Sequence, residues 1–235
     1  MADSTGCIIE SQVDYLRVSA HGEEKSVLLE DFAKYLAQEE KAKGNKPKPW
    51  RLMGYDGTHC GQIQYGRRDR GATILDLIGD SGAKQLSQAL SLADRCTRVD
   101  LAVTWRADPP DPHIGPNAYS EAEVWYHDHP TAPRPSRTTD GDGGWTTYLG
   151  HRGSENFFRI YDKGAEARAK DDPEGFARYQ NCWRYELEAK GTVSLPLAEA
   201  VNSTLEPERF VQGYLYVWLR DHGVTPPFPL TVRDA

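Results

Sequence analysis

Nowhere in this chain do about 18 apolar residues follow one another, the length a helix needs to cross a bilayer, so no transmembrane helix is expected. The N-terminal Met1-Ala2-Asp3-Ser4-Thr5-Gly6 lacks the basic-then-apolar order of a secretory signal. A cytoplasmic protein is the expectation. Cysteine is scarce. The four present, Cys7, Cys60, Cys96 and Cys182, fit no zinc-ligand spacing and read as reduced thiols. Positive charge is in deficit too: 28 Lys and Arg stand against 35 Asp and Glu, a net charge of −7. That balance excludes a protein that coats nucleic acid without selectivity, and leaves room for a local basic groove. Two stretches offer one, residues 41–51 and 66–70; a solvated loop is the other reading of each. No repeat of fixed short period is visible, only a loose halving in which each half holds a strand, a helix and a hairpin.

What is present suits a globular protein. The 235 residues are 38% hydrophobic and 10% aromatic, enough for a core. Residues 8–222 read as one domain and residues 223–235 as a Pro-rich tail. Alternation predicts a strand over 8–18, and helical spacing of Leu28, Phe32, Tyr35 and Leu36 predicts a helix over 27–40. Short strands follow over 51–55, 61–65 and 72–78, punctuated by glycines. A second helix is expected over 81–94 with Ser81 as N-cap. The clearest strand is Thr97–Trp105. A third helix is expected over 119–127, a surface loop over 130–144, then a hairpin around Tyr148 and Tyr161. A short helix over 165–169, a strand over 182–189 and an amphipathic helix over 205–221 complete the set. The fold class is therefore α+β, one largely antiparallel sheet with helices on a face.

Three strands place chemistry on one face each, because strand side chains alternate. Arg159, Tyr161 and Lys163 share a face if their strand is regular to its end, which puts a phenol between two cations. A phenol ionises near pH 10, and two nearby cations favour the phenolate and attract a phosphate. A half-buried tyrosine flanked by snorkelling cations is the structural alternative. Arg98, Asp100 and Thr104 share a face of theirs, opposite Val99, Leu101 and Val103. Asp100 reads either as the partner of Arg98 or Arg184 or as a divalent-metal ligand. Arg184, Glu186 and Glu188 share a third face, and the two carboxylates join Asp100 as candidate ligands for Mg²⁺ or Mn²⁺, which take oxygen donors. His127 and His129 stand two apart and form a competing metal candidate; the polar end of a helix, where cationic histidines suit the dipole, is the other reading. Tyr148 is a candidate second nucleophile, or a packing residue.

In order, Arg98-Val99-Asp100-Leu101-Ala102, Tyr148-Leu149-Gly150 with Arg152 and Ser154, Phe158-Arg159-Ile160-Tyr161-Asp162-Lys163 with Glu166, and Trp183-Arg184-Tyr185-Glu186-Leu187-Glu188 resemble the Rep-trans family. These are rolling-circle replication initiators of the staphylococcal plasmid type, with related phage initiators and conjugative-element relaxases. The likeness covers residues 95–190 well and 11–80 loosely. It implies a fold related to the HUH endonucleases, with a central antiparallel sheet. It also implies a metal-dependent nick at a replication origin, with Tyr161 as nucleophile. Two positions depart from the family pattern. Asp162 stands where asparagine is common. Thr104 stands where a second aspartate is common, which removes one metal ligand and leaves Glu186, with Glu188 or Asp14, to compensate.

The expected function is an origin-specific nicking and joining enzyme. Tyr161 forms a 5′-phosphotyrosyl link and frees a 3′-OH, Arg159 and Lys163 neutralise the phosphate, and Asp100, Glu186 and Glu188 hold the metal. DNA, single-stranded or in a hairpin, is the expected partner, with a homodimer and a host helicase as further ones and no membrane. The alternatives are a relaxase for conjugative transfer and a non-catalytic origin-binding protein, the latter resting on Thr104.

Overall fold

The computed structural model describes residues 5–36, 38–40, 50–55, 58–65, 71–139 and 144–230. Most of both basic stretches, residues 41–49 and 66–70, lies outside them. The chain is α+β with ten strands and seven α-helices among the described residues. The strands are β1 (Thr5–Ala20), β2 (Gln38–Glu40), β3 (Trp50–Met53), β4 (His59–Gln64), β5 (Thr73–Ile78), β6 (Arg95–Asp108), β7 (Ser136–Thr139), β8 (Trp145–Leu149), β9 (Asn156–Asp162) and β10 (Cys182–Lys190). The helices are α1 (Glu23–Leu36), α2 (Asp80–Leu92), α3 (Ile114–Asp128), α4 (Lys163–Ala169), α5 (Pro173–Arg178), α6 (Ser194–Ser203) and α7 (Pro207–Asp221). The strands form one sheet in the order β2-β3-β4-β5-β1-β6-β10-β9-β8-β7. The pairings β1–β5, β2–β3, β3–β4, β4–β5, β7–β8 and β8–β9 are antiparallel.

The chain divides into two compact units. One comprises Met1–Ser11, Leu101–Glu188 and Leu205–Ala235, the other Gln12–Asp100 and Ala189–Thr204. Within the first, Phe158 and Ile160 of β9 are fully buried on the face that receives the helices. Trp218 of α7 stacks on Phe158 with ring centroids 4.8 Å apart. Thr147 of β8 donates to the Gly115 carbonyl of α3 at 2.9 Å. The Pro-rich end packs into this core: Val224 and Phe228 are each 1% exposed, and Phe228 meets Tyr185 edge-on at 5.2 Å. Residues 224–228 thus belong to the packed unit. Within the second unit, Leu75 and Leu77 of β5 lie in the core, while Asp76 between them turns to the other face. There Arg17 grips Asp76 through Nε at 2.6 Å and Nη2 at 2.9 Å, and Gln62 donates to it at 2.6 Å. Gly61 lies so close to the Asp76 carbonyl that a Cβ has no room there.

Several local readings change. The helix expected to Glu40 stops at Leu36, and β2 follows within four residues. Ser81 is inside α2, whose N-cap is Gly79 at φ 54. Helix α3 begins at Ile114 and carries Pro116 in its first turn, where a missing N–H costs nothing. The loop expected over 130–144 contains the exposed strand β7. Helices α5 and α6 were not expected at all. Pro173 opens α5, with the Asp172 side chain accepting from Gly175 N as its cap.

Helix α3 meets β8 and β10 through a glycine. A Cβ on Gly115 would collide with the Trp183 ring and come within 2.7 Å of Trp145 Cδ1. Gly115→Ala should therefore destabilise the protein by about 1–3 kcal/mol, the usual cost of overpacking. Equilibrium urea unfolding measures this directly; an unchanged midpoint would show that the rings move aside freely.

Candidate functional site

Tyr161 stands on β9, which neighbours β10 in the sheet. Alternation turns Phe158 and Ile160 into the core and leaves Arg159 and Tyr161 half-buried on the opposite face. On β10, Glu186 is 4% exposed. It is the point where the two strands meet chemically: Tyr161 Oη donates to Glu186 Oε2 at 3.2 Å, and Arg159 Nη2 pairs with Glu186 Oε1. One carboxylate therefore holds both the phenol and the guanidinium.

Lys163 reaches the same phenol by another route. Strand β9 ends at Asp162, and Lys163 opens α4. Asp162 is the N-cap, accepting from Ala165 N at 2.9 Å. Aspartate and asparagine both serve as N-caps, so this position tolerates either. The turn into α4 carries the Lys163 ammonium over the Tyr161 ring at 5.7 Å and over the Tyr179 ring at 5.5 Å. Lys163 Nζ also binds Glu166 Oε2 at 2.7 Å, and Lys170 binds the other oxygen at 2.7 Å. Burial raises the Glu166 carboxyl, but the two ammonium groups outweigh it and hold it below its ordinary value.

A second knot lies one strand further on. Arg184 of β10 is 2% exposed; its Nη1 donates to Thr104 Oγ1 at 2.8 Å and to Glu10 Oε2 at 3.1 Å. Its Nε stands 3.9 Å from Glu186 Oε2. Glu10 also receives Arg178 at 2.6 Å and the Tyr179 hydroxyl at 2.7 Å. Burial, and then this bond to Glu10, push the Tyr179 phenol up to about 12. The position that Thr104 leaves without a carboxylate thus has one beside it, supplied from β1, with Thr104 Oγ1 and Glu10 Oε2 3.4 Å apart. Nothing in the sequence singled out Glu10, because its role depends on β1 lying next to β6.

The remaining sequence candidates are placed as follows. Asp100, 1% exposed and in the other unit, is gripped by Arg98 at 2.7 and 2.5 Å, which is the ion-pair reading of that strand. Arg98 also lies 4.3 Å over the Tyr15 ring. Burial first, then Asp76, push the Tyr15 phenol above its usual range. Glu188 is buried on β10. Among the described residues no group of three or more His, Cys, Asp or Glu stands placed to hold a metal ion. Arg98 occupies both oxygens of Asp100 in its own unit, and Arg159 binds Oε1 of Glu186 in the other. Asp14 Oδ1 accepts from Gln12 Nε2 at 3.5 Å. His129 caps the end of α3, its Nδ1–H donating to the Trp125 carbonyl at 2.9 Å and its ring stacking on Trp125 at 4.0 Å. The helix-end reading therefore describes the His127–His129 pair. Tyr148 lies opposite Arg159, stacks on Phe157 at 5.6 Å, and has its hydroxyl 3.3 Å from Thr138 Oγ1. A cavity of about 330 Å³ lined by Trp125, Leu149, Asn156, Trp218 and His222 shares no residue with the Tyr161 cluster.

Two measurements test this geometry. Asp162→Ala should cost about 1 kcal/mol in urea unfolding through loss of the cap, while Asp162→Asn should cost a few tenths at most. Because the Glu166 pKa is lowered from 4.5 on folding, its contribution to stability is complete above that value and is lost as pH falls through the lowered one. Wild type and Glu166→Gln should thus differ in melting temperature at pH 7 and converge towards pH 3. A constant difference across that range would rule out the Lys163–Glu166–Lys170 cluster as its source.

The family profile described as "Replication initiation factor" (Rep_trans) matches residues 95–215, just over half of the chain, and takes in β6 to β10 and most of α7. A solved structure titled as a rolling circle replication initiator protein from Geobacillus stearothermophilus superposes with a TM-score of 0.56. It is 14% identical and covers 88% of this chain and 84% of its own, a likeness of fold. No curated protein matches the sequence. No helix among the described residues is long and apolar enough to cross a membrane. With the strands that carry Tyr161 and Glu186 both inside the matched region, which spans just over half of the chain, the chain belongs to the Rep_trans family of replication initiation factors.

Proposed function

We propose that this chain initiates rolling-circle replication as a DNA nicking and joining enzyme, with Tyr161 as nucleophile. The observation that carries the proposal is the Glu186 carboxylate, which accepts the Tyr161 hydroxyl on one oxygen and binds Arg159 on the other. A phenol is a weak nucleophile until its proton has somewhere to go. Glu186 Oε2 is within reach of that proton, and Arg159 keeps the carboxylate turned towards it.

The reaction runs in two steps. The Tyr161 oxygen attacks a backbone phosphorus while its proton passes to Glu186. The new oxygen–phosphorus bond forms as the bond from phosphorus to the 3′ oxygen breaks. The 3′ oxygen leaves as a hydroxyl, taking a proton from solvent, and serves as a primer for synthesis. The 5′ phosphate stays on Tyr161. In the joining step a 3′-hydroxyl, giving its proton to solvent, attacks that phosphorus as the bond to the Tyr161 oxygen breaks, and Glu186 returns the proton to the phenol. Lys163 lies over the Tyr161 ring and Arg159 shares Glu186 with the phenol, and an incoming phosphate would draw them from Glu166 and Glu186 by charge-assisted hydrogen bonds. A Mg²⁺ or Mn²⁺ requirement rests on the family likeness alone.

The test uses supercoiled DNA bearing the cognate origin, read for nicked circles and for a band carrying both protein and DNA. Tyr161→Phe should abolish both while still binding the origin. Glu186→Gln should slow nicking on the order of 10²-fold or more, the usual range for losing a general base. A covalent adduct formed by Tyr161→Phe would move the nucleophile elsewhere.

A further inference from the structure

We infer that Glu10 is a positioning residue for the tyrosine: it holds the Arg184 guanidinium back from Glu186, so that Glu186 Oε2 stays available to the Tyr161 hydroxyl. This rests on the reading of Tyr161 and Glu186 given above. Arg184 is 2% exposed and carries a charge that cannot be left uncompensated. The carboxylates of Glu10 and Glu186 both stand near it. Glu10 Oε2 receives its Nη1 at 3.1 Å, whereas Glu186 Oε2 faces its Nε at 3.9 Å, beyond hydrogen-bond range. Thr104 supports the choice, accepting from the same Nη1 at 2.8 Å and standing 3.4 Å from the Glu10 oxygen.

Glu10 is itself held from two more directions, by Arg178 Nη2 at 2.6 Å and the Tyr179 hydroxyl at 2.7 Å, both on its Oε1. Its side chain is 13% exposed, so the carboxylate has little freedom to turn away. The chain of contacts crosses four neighbouring strands, from Glu10 on β1 through Thr104 on β6 and Arg184 on β10 to Tyr161 on β9. Remove the Glu10 charge, and Glu186, whose Oε2 already lies 3.9 Å from the Arg184 Nε, can draw the guanidinium towards it. A shift of about 1 Å would then put a guanidinium on the oxygen that the phenol uses. Such a misplacement costs rate on the order of 10- to 100-fold without touching the DNA-binding surface.

The test compares Glu10→Gln, Glu10→Asp, Arg184→Met and the double variant Glu10→Gln/Arg184→Met in single-turnover nicking of origin DNA, with origin affinity measured alongside. Glu10→Gln should nick about 10-fold more slowly or worse with affinity within about 2-fold of wild type. Glu10→Asp should recover much of the rate. The double variant should be no slower than Arg184→Met alone, because Glu10 acts only through that guanidinium. A loss that falls on affinity instead of rate, a rate loss in Glu10→Gln that multiplies with that of Arg184→Met, or a failure of Glu10→Asp to recover any rate would overturn the inference. Tyr161→Phe is run in parallel. If it still forms the covalent adduct, the assignment of Tyr161 fails. If it does not, and Glu10→Gln nicks at the wild-type rate, the inference about Glu10 alone fails.

Discussion

One buried carboxylate organises the candidate site. Glu186 is 4% exposed, and an anion that deep is stable only if cations and donors satisfy it. Arg159 and the Tyr161 hydroxyl do so on its two oxygens, with Arg184 close by. Each of these groups is in turn constrained. Arg159 and Tyr161 alternate with Phe158 and Ile160, which are fully buried against the helices. Arg184 is tied to Thr104 and Glu10. The phenol is thus oriented by the hydrophobic packing of the other face of its own strand as much as by its polar neighbours.

The sheet accounts for why such a network is tolerable. One face of β8 to β10 carries the core under α3 and α7, with Phe158, Ile160, Tyr185 and Leu187 buried. The opposite face is left to charges, where Arg159 and Arg184 each sit within reach of a carboxylate. Charge pairing of this kind adds little to stability but fixes register and orientation, since a one-residue slip of β9 would put Tyr161 in the core. The second unit repeats the device with Arg17, Asp76 and Gln62 opposite its own apolar face.

Much of this was legible from period-two alternation. The face shared by Arg159 and Tyr161, the face shared by Arg184, Glu186 and Glu188, and the pairing of Asp100 with Arg98 all follow from neighbours along a strand. Lys163 was read onto the same strand face. It arrives instead by a helix turn, because Asp162 caps α4 and ends the strand one residue early. Helix α3 starts five residues before the expected 119 and carries Pro116 in its first turn, and Pro173 opens α5, since prolines open helices as readily as they interrupt them. Strand β7 was hidden in a segment rich in turn residues, because all four of its residues are exposed and show no apolar alternation.

The sequence by itself determined which side chains share a strand face, because this depends on residues two positions apart. It also carried the ordered motifs by which the family is known. Only the tertiary structure decided that Tyr161 meets Glu186, 25 residues away, and that Glu10 reaches Arg184, 174 residues away. Those contacts depend on the order β1-β6-β10-β9. Strand order is settled by how all the apolar faces are buried together, and no local pattern encodes it.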